Sequence, residues 1–174
     1  RDSFATVSFV SIFLIFIIIA LVFKSISLPI ILVAVIEFAI FINMGIPFYT
    51  NTTLPFIASI VIGTIQLGAT VDYAILMTNR YKLERSSGKD KKAAAGDALK
   101  ATMKSVMVSA FTFFGATFGV GVYSSIDMIS SLCLLMARGA IVSMLCVICI
   151  LPAMYIVFDL SLIHISEPTR LALI

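Results

Sequence analysis

Three charged side chains interrupt long apolar stretches of this sequence, and each could transfer a proton or form an ion pair. They are Glu37, Asp72 and Arg138. A charge at the centre of a membrane helix costs about 2.5–3.5 kcal/mol on insertion scales, so such residues are kept mainly for a function or a fixed partner. We therefore treat these three residues as the first candidates for chemistry.

Asp72 is the strongest candidate because it lies deep in an apolar run and beside small residues. With a turn of about 100° per residue, Gly68 and Ala69 share its side of a helix and let another helix approach closely. A carboxyl group held at such a contact, away from lipid, can bind and release a proton near neutral pH. Tyr73 points about 100° away, which suits a carboxylate on a different helix. The alternative role for Asp72 is structural, with a neighbouring hydroxyl as its partner.

Glu37 and Arg138 are weaker candidates. Glu37 lies near the centre of the segment 30–46, nearly two turns before Asn43, and either joins a proton path or bonds to another helix. Arg138 lies toward the start of the last apolar segment, where a structural role is favoured. Its guanidinium either reaches the membrane surface or pairs with Asp127 or with a segment outside this sequence.

The composition places these residues in a membrane protein. Of the 174 residues, 61% are hydrophobic and 12% are charged, and the mean hydropathy is +1.15. Soluble domains contain roughly 25% charged residues, which excludes a water-soluble globule. The three cysteines lie in one apolar run and the single histidine lies near the C-terminus, so we expect no metal ion and no other cofactor. The sequence contains no glycine-rich phosphate-binding loop, so nothing in it indicates nucleotide hydrolysis.

Five apolar segments are long enough to cross a bilayer as helices. In lipid only helices and closed barrels satisfy the backbone, and about 20 apolar residues form a helix as long as the hydrocarbon core is thick. The predicted fold class is thus an all-α membrane protein, with five transmembrane helices in residues 1–159. Their approximate spans are 4–23, 29–46, 56–79, 105–123 and 129–158. We expect Gly45 and Pro47 to end the second helix and Pro152 to kink the fifth.

The two ends of the sequence do not resemble natural termini. Residue 1 is Arg rather than Met, and no signal-peptide pattern precedes the first apolar segment, so we expect the chain to begin inside a longer protein. Residues 160–170, with the sequence LSLIHISEPTR, match the translation of a transposase sequencing adapter. We predict that residues 160–174 are an artefact, and the alternative is a natural polar tail.

Lysine and arginine set the predicted orientation, because loops rich in these residues stay in the cytoplasm. The stretch 80–104 carries eight basic and three acidic residues, whereas the loops 47–55 and 124–128 carry no Lys or Arg. We therefore place residues 80–104 and the C-terminus in the cytoplasm and the N-terminus outside. Within this stretch, residues 91–104 form a predicted amphipathic helix lying under the membrane. A nucleic-acid patch and an anionic-lipid site are alternative explanations of the charge, and a topology signal is favoured over both.

Several motifs resemble one known family. The resistance–nodulation–division superfamily has a signature that consists of Gly, Asp-Tyr, Arg-Tyr and Glu. This signature resembles two segments of the sequence, 68–73 (GATVDY) and 79–84 (NRYKLE). The branch that these segments resemble most is the MMPL-type exporters. The glycine stands further from the aspartate than in the usual pattern. Residues 137–140 (ARGA) and 151–153 (LPA) also resemble the final helix of that family. One half of such a protein has a helix, a large extracytoplasmic domain and then five helices, and residues 1–159 correspond to those last five.

The resemblance implies a secondary transporter, not an enzyme, that uses the proton gradient to export lipids or other hydrophobic compounds. Asp72 and Tyr73 match the proton-relay positions, which meet their counterparts from the other half at a pseudo-twofold axis. Glu37 and Arg138 stand as secondary or structural candidates. The implied location is the bacterial cell membrane, and the proton motive force takes the place of a cofactor. The implied partners are the substrate, the bilayer and the other repeat of the full-length chain; further copies of the chain are an open alternative, and no nucleic acid is expected.

Two other function classes stay open at this point. A non-transporting module with the same five-helix plan, such as a sterol-sensing-like regulator or a protein-export accessory, could lack a membrane carboxylate paired across repeats. Asp72 therefore favours transport. An intramembrane aspartyl protease needs two facing catalytic aspartates, and only Asp72 lies deep in a predicted span, so the protease is the least favoured.

Overall fold

The structure of the chain, a computed structural model, describes residues 2–23, 27–50 and 56–163. These residues form five α-helices and no strand, which confirms the all-α prediction: α1 Asp2–Phe23, α2 Ser27–Thr50, α3 Phe56–Ser86, α4 Lys91–Tyr123 and α5 Asp127–Ile163. Helices α2 to α5 are each long and apolar enough to cross a membrane, and the described apolar stretch of α1 is Phe9–Leu21. Residues 164–174 lie outside the described residues, so the adapter interpretation of the tail stays a prediction.

Helix α5 is at the centre of the packing. It contacts α2, α3 and α4, while α1 lies against α2 and α3. Fully buried side chains fill the space between the helices, among them Leu32 and Ile36 of α2, Met77 of α3, and Val147 and Leu151 of α5. Because lipid is as apolar as these side chains, close packing and internal hydrogen bonds hold such helices together. Polar contacts inside the bundle therefore decide which helix faces meet.

The predicted helix under the membrane is instead the first part of α4. Residues 91–104 continue without a break into the predicted fourth span, so α4 is a single helix of 33 residues. Ala94 and Ala98 are buried in the same core cluster as Tyr81 of α3. The stretch contains no proline, and its alanine and lysine residues favour a continuous helix. Helix α3 likewise extends past the predicted end of its span, to Ser86.

A cluster of ion pairs fastens the turn between α3 and α4. Lys89 Nζ lies 2.6 Å from Glu84 Oε2 and 2.7 Å from Asp97 Oδ2, and Arg80 Nη2 lies 2.7 Å from Glu84 Oε1. The Glu84 side chain is 8% exposed, whereas the other three are at least 40% exposed. Hydrogen bonds to Asp97 and Glu84 raise the pKa of Lys89 above its usual value, because they stabilise its charged form. Gly88, at a φ of 83°, provides the left-handed turn that a side chain would disfavour.

Helix α2 continues through Pro47 to Thr50, so its predicted end before the proline was wrong. Proline lacks the N–H that bonds to the carbonyl four residues earlier, but in lipid a neighbouring helix can satisfy that carbonyl. The carbonyl concerned belongs to Asn43, and its partner is described below. In α5, Pro152 also lies inside the helix, and the non-helical backbone is at Phe158 (φ −101°, ψ 16°) rather than at the predicted kink.

We expect Glu84→Gln to loosen the α3–α4 turn more than Asp97→Asn does. Both substitutions remove one carboxylate from Lys89, but only Glu84 is buried and also holds Arg80. Limited trypsin digestion of the full-length protein in detergent should therefore cut residues 85–92 fastest in Glu84→Gln, with Asp97→Asn between it and the unchanged protein. Equal cleavage rates in the three proteins would show that the ion pairs of Glu84 do not hold the turn in place.

Candidate functional site

Asp72 lies on an open face of α3. Gly68, Leu76 and Asn79, which the helical spacing places on the same side, are exposed with it, and Ala69 is half-buried. No hydrogen bond or ion pair joins Asp72 to another side chain in the described part of the chain. A carboxyl group is unfavourable against lipid, so Asp72 is an unusual residue for an exposed position on this helix.

Tyr73 does not share that face. It is 6% exposed, and it lines a small enclosed cavity together with Gln66 and Thr70 of α3 and Ser143 of α5. The cavity has a volume of about 10 Å³, roughly the space that one water molecule needs. The structure therefore separates the two residues of the predicted relay, with the carboxyl group of Asp72 on the open face and the phenol inside the bundle.

A polar network crosses the bundle at the level of Arg138. Arg138 Nε donates to Asn43 Oδ1 at 2.9 Å, and its Nη2 donates to the Asn43 carbonyl at 3.0 Å. Asn43 Nδ2 donates in turn to Gln66 Oε1 at 2.8 Å and to the Leu135 carbonyl at 3.2 Å. Gln66 Nε2 donates to Ser143 Oγ at 3.0 Å. One chain of hydrogen bonds thus joins α2, α3 and α5, and no buried side-chain nitrogen or oxygen among the described residues lacks a partner.

Gly139 makes room for this network. A Cβ atom at this position would lie 2.6 Å from Asn43 Nδ2 and 2.8 Å from Gln66 Oε1, closer than real Cβ atoms approach. The Gly139 carbonyl also accepts from Gln66 Nε2 at 3.5 Å. A side chain at this position would have to displace one of these two amides, so glycine favours the close approach of α5 to α2 and α3.

The two weaker candidates have different surroundings. Arg138 bonds to Asn43 and not to Asp127, which lies exposed at the start of α5. Glu37 is half-buried on α2 and forms no hydrogen bond to a described residue. Because the Asn43 side chain is occupied by Gln66 and Arg138, the structure joins Arg138 to a network but leaves Glu37 outside it.

Sequence reasoning gave no role to Gln66 and Ser143, and it noted Gly139 only as part of the 137–140 motif. The available signal was the one that marked Asp72, because Gln66 is polar within an apolar run and Gly139 directly follows Arg138. This signal can show that a residue is unusual in its helix. It cannot show that Gln66 contacts Gly139 and Ser143, which lie 73 and 77 positions further along the chain.

Two cysteines of α5, Cys146 and Cys149, have the CxxC spacing that redox and metal sites use. Both are free thiols, and Cys146 is buried whereas Cys149 is exposed. Within the described residues, no group of three or more His, Cys, Asp or Glu side chains is placed to hold a metal ion.

Comparison with known proteins adds the family to this geometry. A model of the MMPL family matches residues 1–170. The chain belongs to the MMPL family. No curated protein and no solved structure matches it. Membership confirms the predicted resemblance, and together with the apolar helices it indicates a multi-pass membrane protein with a transporter-like role.

The Arg-Tyr and Glu part of the MMPL motif has a structural position in this chain. Arg80 and Glu84 belong to the ion pairs at the α3–α4 turn. Tyr81 stacks on Tyr155 with ring centroids 4.7 Å apart, and its hydroxyl donates to the Tyr155 carbonyl at 3.4 Å. The Tyr155 hydroxyl lies 2.6 Å from Thr78 Oγ1. This part of the motif therefore holds α3 against α5 through Tyr81 and holds the C-terminal end of α3 to the α3–α4 turn through Arg80 and Glu84.

We expect Gly139→Ala to destabilise the MMPL protein by about 1–3 kcal/mol, the usual cost of overpacking a filled site. The added methyl group would displace the amide of Asn43 or Gln66, and these amides cannot move without losing hydrogen bonds. The measurement is the thermal unfolding midpoint of the full-length protein in detergent. Gly115→Ala is the matched control, because α4 has open space at that position. Equal losses in the two variants would contradict the close approach at Gly139.

Proposed function

We propose that this MMPL chain is part of a secondary transporter that uses the proton gradient to export lipids or other hydrophobic compounds. Asp72 is the proposed proton carrier. The observation that supports this proposal most is the open carboxyl group of Asp72 on α3, within a chain of the MMPL family.

The surroundings of Asp72 suit proton coupling. An ionised carboxylate resists contact with apolar surface, whereas its protonated form can be covered at lower cost. Gly68 and the half-buried Ala69 leave room for a covering helix. Protonation would then change how closely that helix packs, which links proton uptake to a shift between two conformations.

The covering element that we propose is the other repeat of the full-length chain. It would bring a second polar group to the open face, so that the proton is exchanged inside protein and not in lipid. Tyr73 is the proposed second residue of the relay, and its buried position means that it acts from within the bundle. Glu37 is the other carboxylate within the apolar part of the sequence, so its substitution provides the comparison for that of Asp72.

We expect Asp72→Asn to abolish gradient-driven export while the complete protein still inserts and accumulates. The substitution removes the ionisable carboxyl group with almost no change in volume. Export of a fluorescent lipid from cells, with and without a protonophore, measures the effect, and Glu37→Gln is the control that removes another carboxyl group. We expect Tyr73→Phe to slow export. If Asp72→Asn exports at the unchanged rate under a proton gradient, Asp72 is not the carrier.

We further propose that the protein lies in the bacterial cell membrane with residues 80–104 in the cytoplasm and the N-terminus outside. The support is the concentration of Lys and Arg in this stretch. A cysteine introduced by Ser124→Cys should react with an impermeant thiol reagent in intact cells, and one introduced by Ser87→Cys only after permeabilisation. The native cysteines are first replaced by alanine or serine, and the reverse labelling pattern would overturn this orientation.

A further inference from the structure

We infer that Arg138 is a positioning residue whose guanidinium replaces the hydrogen-bond donor that Pro47 removes from α2. The inference concerns the packing of α2, α3 and α5 and does not depend on the proposed transport function. It joins a proline, a backbone carbonyl and a charged side chain that lie on two different helices.

The first step is the carbonyl that Pro47 leaves without its usual donor. In an α-helix the carbonyl of residue 43 accepts from the N–H of residue 47, and proline has no N–H. Asn43 is 0% exposed, and Pro47 is buried too. An unsatisfied carbonyl in such a place is strongly unfavourable in lipid, where water is absent. The helix can therefore continue through Pro47 only if another group donates to this carbonyl.

The second step is the identity of that donor. Arg138 Nη2 lies 3.0 Å from the Asn43 carbonyl oxygen, and Arg138 Nε lies 2.9 Å from Oδ1 of the same residue. A planar guanidinium can make two such contacts at once, which a lysine ammonium cannot match in geometry. The described residues place no carboxylate in an ion pair with Arg138. Its main contacts are thus the two oxygens of Asn43.

The third step is what the contact positions. With its oxygens held by Arg138, the Asn43 amide donates to Gln66 on α3 and to the Leu135 carbonyl on α5. Gln66 lies on the same helix as Asp72, one and two-thirds turns before it. The Arg138 contact therefore sets how α2 and α5 meet beside the part of α3 that carries the open carboxyl group.

A double-mutant cycle tests this inference through stability alone. The loss in thermal unfolding midpoint caused by Arg138→Gln is measured in the unchanged full-length protein and in the Pro47→Ala variant, both in detergent. Pro47→Ala restores the backbone N–H that can bond to the Asn43 carbonyl. Because this replaces one of the two hydrogen bonds of Arg138, we expect the loss to fall by about half.

Pro152→Ala is the matched control, because Pro152 is a second proline inside a helix but lies four residues after Ile148, whose carbonyl is no partner of Arg138. We expect it to leave the loss caused by Arg138→Gln unchanged. If Arg138→Gln does not accumulate, Arg138→Lys is used in the same cycle, since lysine keeps the charge but offers one point of contact. An equal loss with and without Pro47→Ala, or an equal reduction by Pro152→Ala, would overturn the inference.

Discussion

Inside a bilayer no water can replace a missing hydrogen bond, and the interior of this bundle follows from that constraint. Asn43 shows it most clearly, because its amide nitrogen, its side-chain oxygen and its backbone carbonyl each bond to a group on another helix. Satisfying all three groups together restricts the relative placement of α2, α3 and α5. Gly139 supplies the space for that placement, and Pro47 leaves the Asn43 carbonyl without a donor from its own helix. A fixed arrangement of three helices thus results from a few polar atoms.

The same constraint gives the two sides of α3 different properties. The side that carries Gln66, Thr70 and Thr78 is closed, since all three side chains are buried and each has a hydrogen-bond partner. The side that carries Asp72 is open and its carboxyl group has no partner among the described residues. A closed side is suited to hold a helix in place, and an open polar side is suited to receive another element. The location of the candidate site on α3 follows from this difference.

The apolar runs were enough to predict five helices, because in lipid the length and hydropathy of a segment largely decide its structure. Helix ends were predicted less well. Pro47 would end a helix in water, but here Arg138 satisfies the carbonyl that the proline exposes, so the helix continues. Asp72 and Arg138 could be singled out by residue type alone. The contact between Asn43 and Arg138 could not, because it joins residues 95 positions apart and depends on how two helices are rotated against each other.

Helices α3 and α4 form a rod that is longer than the bilayer core is thick. They contain 31 and 33 residues, which corresponds to about 45–50 Å against a hydrocarbon core of about 30 Å. The ion pairs of Lys89 bind the two helices together at the tip of the rod. The distance along α3 from Asp72 to Ser86 is about 20 Å, so a tilt of about 10° at Asp72 moves the tip sideways by about 3–4 Å. In this way a change of tilt at Asp72 would reach the charged side chains of the α3–α4 turn.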